Sequence, residues 1–144
     1  MEIPIMLVEN DEDRVTTIRA WTPPDIRVCW IERAGSAIGL FRTKNISNQT
    51  WGVMLDYDLV DHRDLRYGEE PLTGLDVARR MIQNLDRDVP VLVHSMSRER
   101  GRAVEMLRTA GFTVTQIPFA ELTQESFNKW LEEVRDRYDY YQQN

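Results

Sequence analysis

Short runs of consecutive apolar residues, each followed by a stretch with helical spacing, recur five times along the chain. The first run, Ile3–Val8, shows no alternation and passes into the acidic stretch Glu9-Asn10-Asp11-Glu12-Asp13. It predicts a strand covered on both faces that ends in a loop. Val15, Ile18 and Trp21 then share one helical face until Pro23-Pro24 stops the helix. Ile26–Ile31 predicts a second strand, residues 34–42 a second helix with Ala37, Ile38 and Phe41 inward, and residues 51–55 a third strand. Residues 60–72 carry charges of both signs with Gly68 and Pro71 and read as a loop.

Thr73 then has the character of an N-cap, ahead of a helix whose apolar face is Leu75, Val77, Ala78, Met81, Ile82 and Leu85. Pro90 introduces a fourth strand at Val91–Val93. Ser97 is the expected cap of a fourth helix bearing Ala103, Val104, Met106 and Leu107, which stops at Gly111. Residues 112–117 predict a fifth strand. A last helix from Thr123 places Phe127, Trp130, Leu131, Val134 and Tyr138 on one face. Strands that are continuous apolar runs, each followed by a helix, make a parallel sheet with helices on both faces. The expected fold is a doubly wound, five-stranded α/β sandwich, with residues 1–144 forming one domain.

Composition narrows the function. Hydrophobic residues make up 42% and charged residues 29%, a globular rather than disordered profile. No apolar run approaches the roughly 20 residues that span a bilayer, and the amino terminus lacks a signal-peptide pattern, so a cytoplasmic protein without membrane contact is expected. A net charge of −6 argues against sequence-independent binding to DNA or RNA. The one cysteine, Cys29, allows no internal disulfide or cysteine-rich zinc site and reads as packing.

Ligands in such sheets bind beyond the carboxyl ends of the strands, where the strand order reverses. The residues there are Glu9 to Asp13, then Asp56-Tyr57-Asp58, then His94-Ser95, then Pro118-Phe119. Asp56 and Asp58 stand two apart on an extended chain and need a positive partner. Carboxylates from two strand ends, Glu9 and Asp11 with Asp56 and Asp58, would suit Mg²⁺ or Mn²⁺, with phosphate completing the coordination. Plainer roles exist for each: Asp56 capping backbone N–H groups, Asp58 opening a turn, His94 satisfied by a carbonyl, Arg14 solvated.

These residues resemble the receiver domain of bacterial response regulators over nearly the whole chain, which implies a flavodoxin-like (βα)5 fold. Asp56 falls where that family carries a phosphoryl-accepting aspartate, Glu9-Asn10 where it carries an acidic pair, and Ser95 where it carries a threonine or serine. Pro118-Phe119 is similar to the Pro-Phe after the family's lysine, but Ile117 stands in the lysine's place. A finer resemblance is to the cyclic-phosphate processing receiver branch. Its motifs are matched by Val8-Glu9-Asn10-Asp11 with Arg14, by Leu55-Asp56-Tyr57-Asp58-Leu59, by Thr73-Gly74 and by His94-Ser95-Met96-Ser97. Three positions depart from that pattern: Asn10 for an aspartate, Tyr57 for a histidine and Ser97 for an asparagine.

The finer resemblance implies a domain that binds, and hydrolyses, a cyclic phosphate on a small nucleotide or an RNA end with the help of a divalent cation. His94 would be acid or base, Asp56 and Ser95 would act beside it, and Ser95, Ser97 and Arg14 would hold phosphate. His62 is a remoter candidate for the missing histidine. The broader resemblance implies a stand-alone receiver phosphorylated on Asp56, and the three departures with Ile117 allow a pseudo-receiver that only binds a protein. Receivers often pair through their last helix, which would make Tyr138, Tyr140 and Tyr141 a homodimer contact.

Overall fold

The computed structural model describes residues 2–59 and 71–143. Its strands are β1 (Ile3–Val8), β2 (Ile26–Ile31), β3 (Val53–Leu55), β4 (Val91–Val93) and β5 (Val114–Gln116). Its α-helices are α1 (Glu12–Trp21), α2 (Ala34–Phe41), α3 (Gly74–Asn84), α4 (Arg100–Thr109) and α5 (Gln124–Gln143). All strands run parallel in the order β2-β1-β3-β4-β5. The predicted doubly wound α/β sheet is therefore the fold, and the order turns back between β1 and β3.

The alternation of strand side chains divides the core into two layers. Ile5, Leu7, Met54 and Leu92 face α1 and α5, where Val15, Ile18, Phe127, Trp130, Leu131 and Val134 close over them. Met6, Val8, Val53, Leu55, Val91 and Val93 face the other way, against α2, α3 and α4. Both faces of β3 and β4 are thereby dry, which is why their sequences are unbroken apolar runs. Cys29 is half-buried and packs at the margin of the second layer. No helix among the described residues is long and apolar enough to cross a membrane.

The boundaries depart from the expected ones for local reasons. The third strand, expected over 51–55, starts at Val53, because Trp51 is drawn to the end of α5, edge-on to Tyr138 at 5.0 Å and Tyr141 at 5.8 Å. The fifth, expected over 112–117, is only Val114–Gln116; Phe112 instead closes α4 by donating its N–H to Leu107, past Gly111 at φ +105°. Ser97 does not cap α4 directly. Its hydroxyl accepts from Glu99 N at 3.1 Å, a turn short of the helix, which begins at Arg100. Thr73 does cap α3, and Asp76 completes a capping box by accepting from Thr73 N at 2.8 Å.

All three tail tyrosines make contacts inside the chain, Tyr140 lying edge-on to Tyr141 at 5.4 Å. Arg137, itself buried, pairs with Asp88 at 2.9 Å and lies over the rings of Trp51 and Tyr141, and the Tyr141 hydroxyl donates to Asp88 at 2.6 Å. Tyr138 packs on Trp51 in the same corner. The expected loop at 60–72 and His62 lie almost wholly, and His62 entirely, outside the described residues.

Gly52, just before β3, lies against α5. A Cβ there would sit 2.7 Å from Val134 Cγ2 and 3.0 Å from the Trp130 ring. Both neighbours are buried and neither has room to withdraw. Gly52→Ala should therefore cost about 1–3 kcal/mol through overpacking. Urea unfolding should show a lower midpoint with an unchanged slope; an unchanged midpoint would mean that α5 yields freely.

Candidate functional site

The sheet ladder continues one residue past several strand ends, and this is what fixes the site. Glu9 N donates to Ile31 O, Asp56 N to Val8 O, His94 N to Leu55 O and Phe119 N to His94 O, at 2.8–3.2 Å. Glu9, Asp56 and His94 thus take up neighbouring places along one rim with their backbones held as rigidly as strand residues. All three side chains are buried, with Glu9 and His94 at 0% exposure and Asp56 at 2%.

Behind Asp56, α3 starts at Gly74, whose N–H donates to Tyr57 O at 2.7 Å. A Cβ at Gly74 would overlap the Asp56 carbonyl and approach the Tyr57 Cα to 2.7 Å, so only glycine lets α3 start this close. The Thr73-Gly74 pair is in this sense a packing device for the acidic turn.

Glu9 holds the centre. Its Oε1 lies 3.0 Å from His94 Nε2, and its Oε2 accepts from Asn10 N and Asp11 N at 3.0 and 3.2 Å. Its carbonyl accepts the Trp30 indole N–H at 2.7 Å. Arg14, on the first turn of α1, reaches over the acids: Nη1 is 3.6 Å from Glu9 Oε1 and 3.9 Å from Asp56 Oδ2, and Nε is 3.8 Å from Asp11 Oδ2. Its guanidinium lies 5.2 Å from the Phe119 ring centroid. The positive partner of the two-aspartate turn is therefore this arginine.

Burial first, and then the charge and hydrogen bonding of Glu9, push Asp56 up to about 7, against the opposing pull of His94 and the Ser95 hydroxyl. Burial would raise Glu9 as well. It is outweighed by the hydrogen bond and electrostatic attraction of His94, by Asp56 and by the Asp11 N–H, and Glu9 is held down to about 2. Between those limits the two carboxyl groups share one proton, carried by Asp56.

The other expected site residues are partly brought together. Ser95 is fully buried beside Asp56, its Oγ also accepting from Ser97 N at 3.0 Å. Ser97 spends its own hydroxyl on the turn before α4. Asp11 is the N-cap of α1, its Oδ1 accepting from Asp13 N and Arg14 N. Asp58 is exposed and meets Asp56 only through its N–H, at 3.4 Å. Among the described residues no three acidic, histidine or cysteine side chains are grouped to hold a metal ion, the expected Glu9, Asp11, Asp56 and Asp58 included. Asp11 is committed to the helix, Asp58 to solvent, and Arg14 stands where the charges converge.

The direct pairing of Glu9 with His94, and the Trp30 and Phe119 contacts, were not foreseen. Helical spacing would have placed Arg14 over the Glu9 loop, but nothing in the sequence pairs residues from separate strands.

The fold is that of known signalling domains. No family model matches the chain, and no curated protein sequence is significantly similar to it. Among solved structures it is similar to the non-phosphorylated HemR receiver domain from Leptospira biflexa, at 26% identity over 92% of this chain and 94% of that one, TM-score 0.60. A signal receiver domain from Vibrio parahaemolyticus aligns over 99% of this chain and 96% of its own, with 15% identity and a TM-score of 0.67. The phosphorylated cyanobacterial phytochrome response regulator RcpA aligns over 97% and 94%, with 15% identity and a TM-score of 0.60. The chain has a response-regulator receiver fold.

The raised Asp56 makes folding depend on pH in a defined direction. Below the ordinary aspartate value the group is protonated in both the folded and unfolded chain. As pH rises from 3.8 towards 7 the unfolded chain gives up its proton first, so stability falls, and above 7 the loss is complete. The loss is about 4 kcal/mol at 1.36 kcal/mol per pH unit. Asp56→Asn removes this falling limb. Its gain in unfolding free energy over the wild type should therefore be small near pH 4.5 and reach about 2–4 kcal/mol by pH 8; urea titrations at both pH values that give equal differences would contradict it.

Proposed function

We propose that this chain is a receiver domain in which Asp56 accepts a phosphoryl group. The observation that carries the reading is the position of Asp56: at the carboxyl end of the central strand, where the strand order turns back, with Ser95 and Arg14 on either side. The likeness to receiver structures, one of them described as phosphorylated, supports it.

In the transfer, an Asp56 carboxylate oxygen attacks the phosphorus of an acyl phosphate or a phosphohistidine. A P–O or P–N bond to the donor breaks as the new P–O bond forms, and the leaving group departs with the electron pair. With acetyl phosphate the products are acetate and the aspartyl phosphate. On this reading Ser95 Oγ–H would donate to a phosphoryl oxygen, and Arg14 would bind another. His94 acts one step back, by fixing Glu9. Only ionised Asp56 is a nucleophile, and burial beside Glu9 sets its pKa at about 7. Labelling therefore rises with pH.

Acetyl phosphate should add one phosphoryl group, seen by intact mass, that is absent from Asp56→Asn. The initial rate should increase roughly tenfold from about pH 6 to about pH 8, as the ionised fraction of a group with pKa near 7 rises. No label at either pH would sink the assignment.

A second reading rests on the Glu9 and His94 pair. A buried carboxylate 3.0 Å from one imidazole nitrogen, with the other nitrogen, Nδ1, buried and without a hydrogen-bond partner among the described residues, is an arrangement suited to acid or base work. It keeps the cyclic-phosphate chemistry of a nucleotide or RNA end in view. Hydrolysis of a 2′,3′-cyclic nucleotide that is lost in His94→Gln while the fold persists would move the assignment from the first reading to this one.

A further inference from the structure

We infer that Arg14 does the work of a divalent cation in this pocket, so that an anion is received at Asp56 without bound metal. The inference rests on the reading of Asp56 as phosphoryl acceptor and concerns what balances the incoming charge.

Most carboxylate oxygens around Asp56 are already engaged, and Asp11 Oδ2 and Asp56 Oδ2 face the Arg14 guanidinium, at 3.8 and 3.9 Å. Glu9 Oε1 faces His94 and Arg14, and Glu9 Oε2 takes two backbone N–H groups. Asp11 Oδ1 caps α1 and Asp56 Oδ1 takes the Asp58 N–H. An ion such as Mg²⁺ demands oxygens at about 2.0–2.1 Å in a near-ideal octahedron. One or two carboxylates with waters and phosphate oxygens fill it, and Asp11 Oδ2 and Asp56 Oδ2 could join it only if the Arg14 guanidinium left its place between them.

Arg14 is built for the alternative. Its three ion pairs, at 3.6, 3.8 and 3.9 Å, are all longer than the 2.7–2.9 Å of a locked charge-assisted bond. The guanidinium is shared among three acids without being fastened to any. Its side chain is 25% exposed, while Glu9 and Asp56 beneath it are buried. The Phe119 ring, itself anchored by its N–H to the His94 carbonyl, supports the guanidinium plane at 5.2 Å. Five fixed N–H donors above a buried carboxylate give a fork matched to phosphoryl oxygens. A small shift of this head would exchange three loose acid contacts for a bidentate grip on the phosphoryl group of Asp56.

The test is acetyl phosphate labelling of the full chain in EDTA and in Mg²⁺, read by intact mass, with the Trp30 indole N–H resonance as an independent reporter of the Glu9 turn. Wild type should label at the same rate, within about twofold, in either buffer, and Mg²⁺ should leave the Trp30 resonance in place. Arg14→Ala should label roughly a hundredfold more slowly in EDTA, the scale seen when one preorganised charge donor is removed. Mg²⁺ should then restore part of its rate and shift its Trp30 resonance, because the vacated acids accept the ion. Arg14→Gln, which keeps the stem over Phe119, should behave like Arg14→Ala and serves if that variant does not fold.

Labelling of wild type that requires Mg²⁺, or a neutral variant as fast as wild type in EDTA, would overturn the inference while leaving Asp56 as acceptor. If wild type takes no label in either buffer, the acceptor reading fails instead. The Trp30 resonance then decides the role of Arg14: a Mg²⁺ shift in the variant alone upholds it, and a shift in wild type overturns it.

Discussion

Two buried carboxylates at one sheet rim cannot both stay charged without compensation, and the site is arranged around that constraint. Glu9 is given His94, Arg14 and two backbone N–H groups; Asp56 is given Arg14 at longer range and the Ser95 hydroxyl. The asymmetry decides which acid yields. Glu9 keeps its charge, Asp56 keeps the proton, and the pair sits in a dry pocket at the cost of one shifted titration rather than two unpaired ions.

That arrangement needs a parallel sheet. In an antiparallel sheet the ends of neighbouring strands point in opposite directions, and Glu9, Asp56 and His94 would lie on opposite rims. Here β1, β3 and β4 are adjacent and co-directional, and the ladder runs on through Asp56 N and His94 N to hold the acids and the imidazole at fixed spacing. The helices then act on the site from behind and above. Gly74 lets α3 press against the acidic turn, and α1 starts early enough, capped by Asp11, for Arg14 to lean back over Glu9. The same aspartate that was expected to hold a metal is what aims the arginine.

The fold was legible because its signal is redundant: five strand segments each followed by a helix, the Pro23-Pro24 stop, the cap at Thr73 and the glycine at 111 all point to one architecture. Boundaries slipped where side chains far along the chain intervene, as when Trp51 is taken by the corner around Arg137. At the site, the rim was legible and the pairing was not. That Glu9, Asp56, His94 and Ser95 share one end follows from strand direction. Which of them bond depends on side-chain reach across neighbouring strands, and a sequence gives no measure of that. Asp11 and Ser97 show how local geometry claims such side chains. Both are polar residues near a helix start, and both are consumed by local backbone N–H groups, the competing use that short polar side chains meet first.

The placement of positive charge separates this chain from the pattern it otherwise follows. The receiver pattern that the sequence resembles has a lysine where this chain has Ile117, and here that side chain packs, half-buried, at the margin of the α1 and α5 layer. The cation comes instead from α1, across the pocket, through Arg14. A charge delivered from β5 would tie the acceptor aspartate to an edge strand; a charge delivered from α1 ties it to the helix that also packs beneath α5 and to the Phe119 turn that Arg14 stacks on. On the proposed reading, a group bound at Asp56 would be sensed first at the start of α1 and at the β5 to α5 connection, the segments that Arg14 touches.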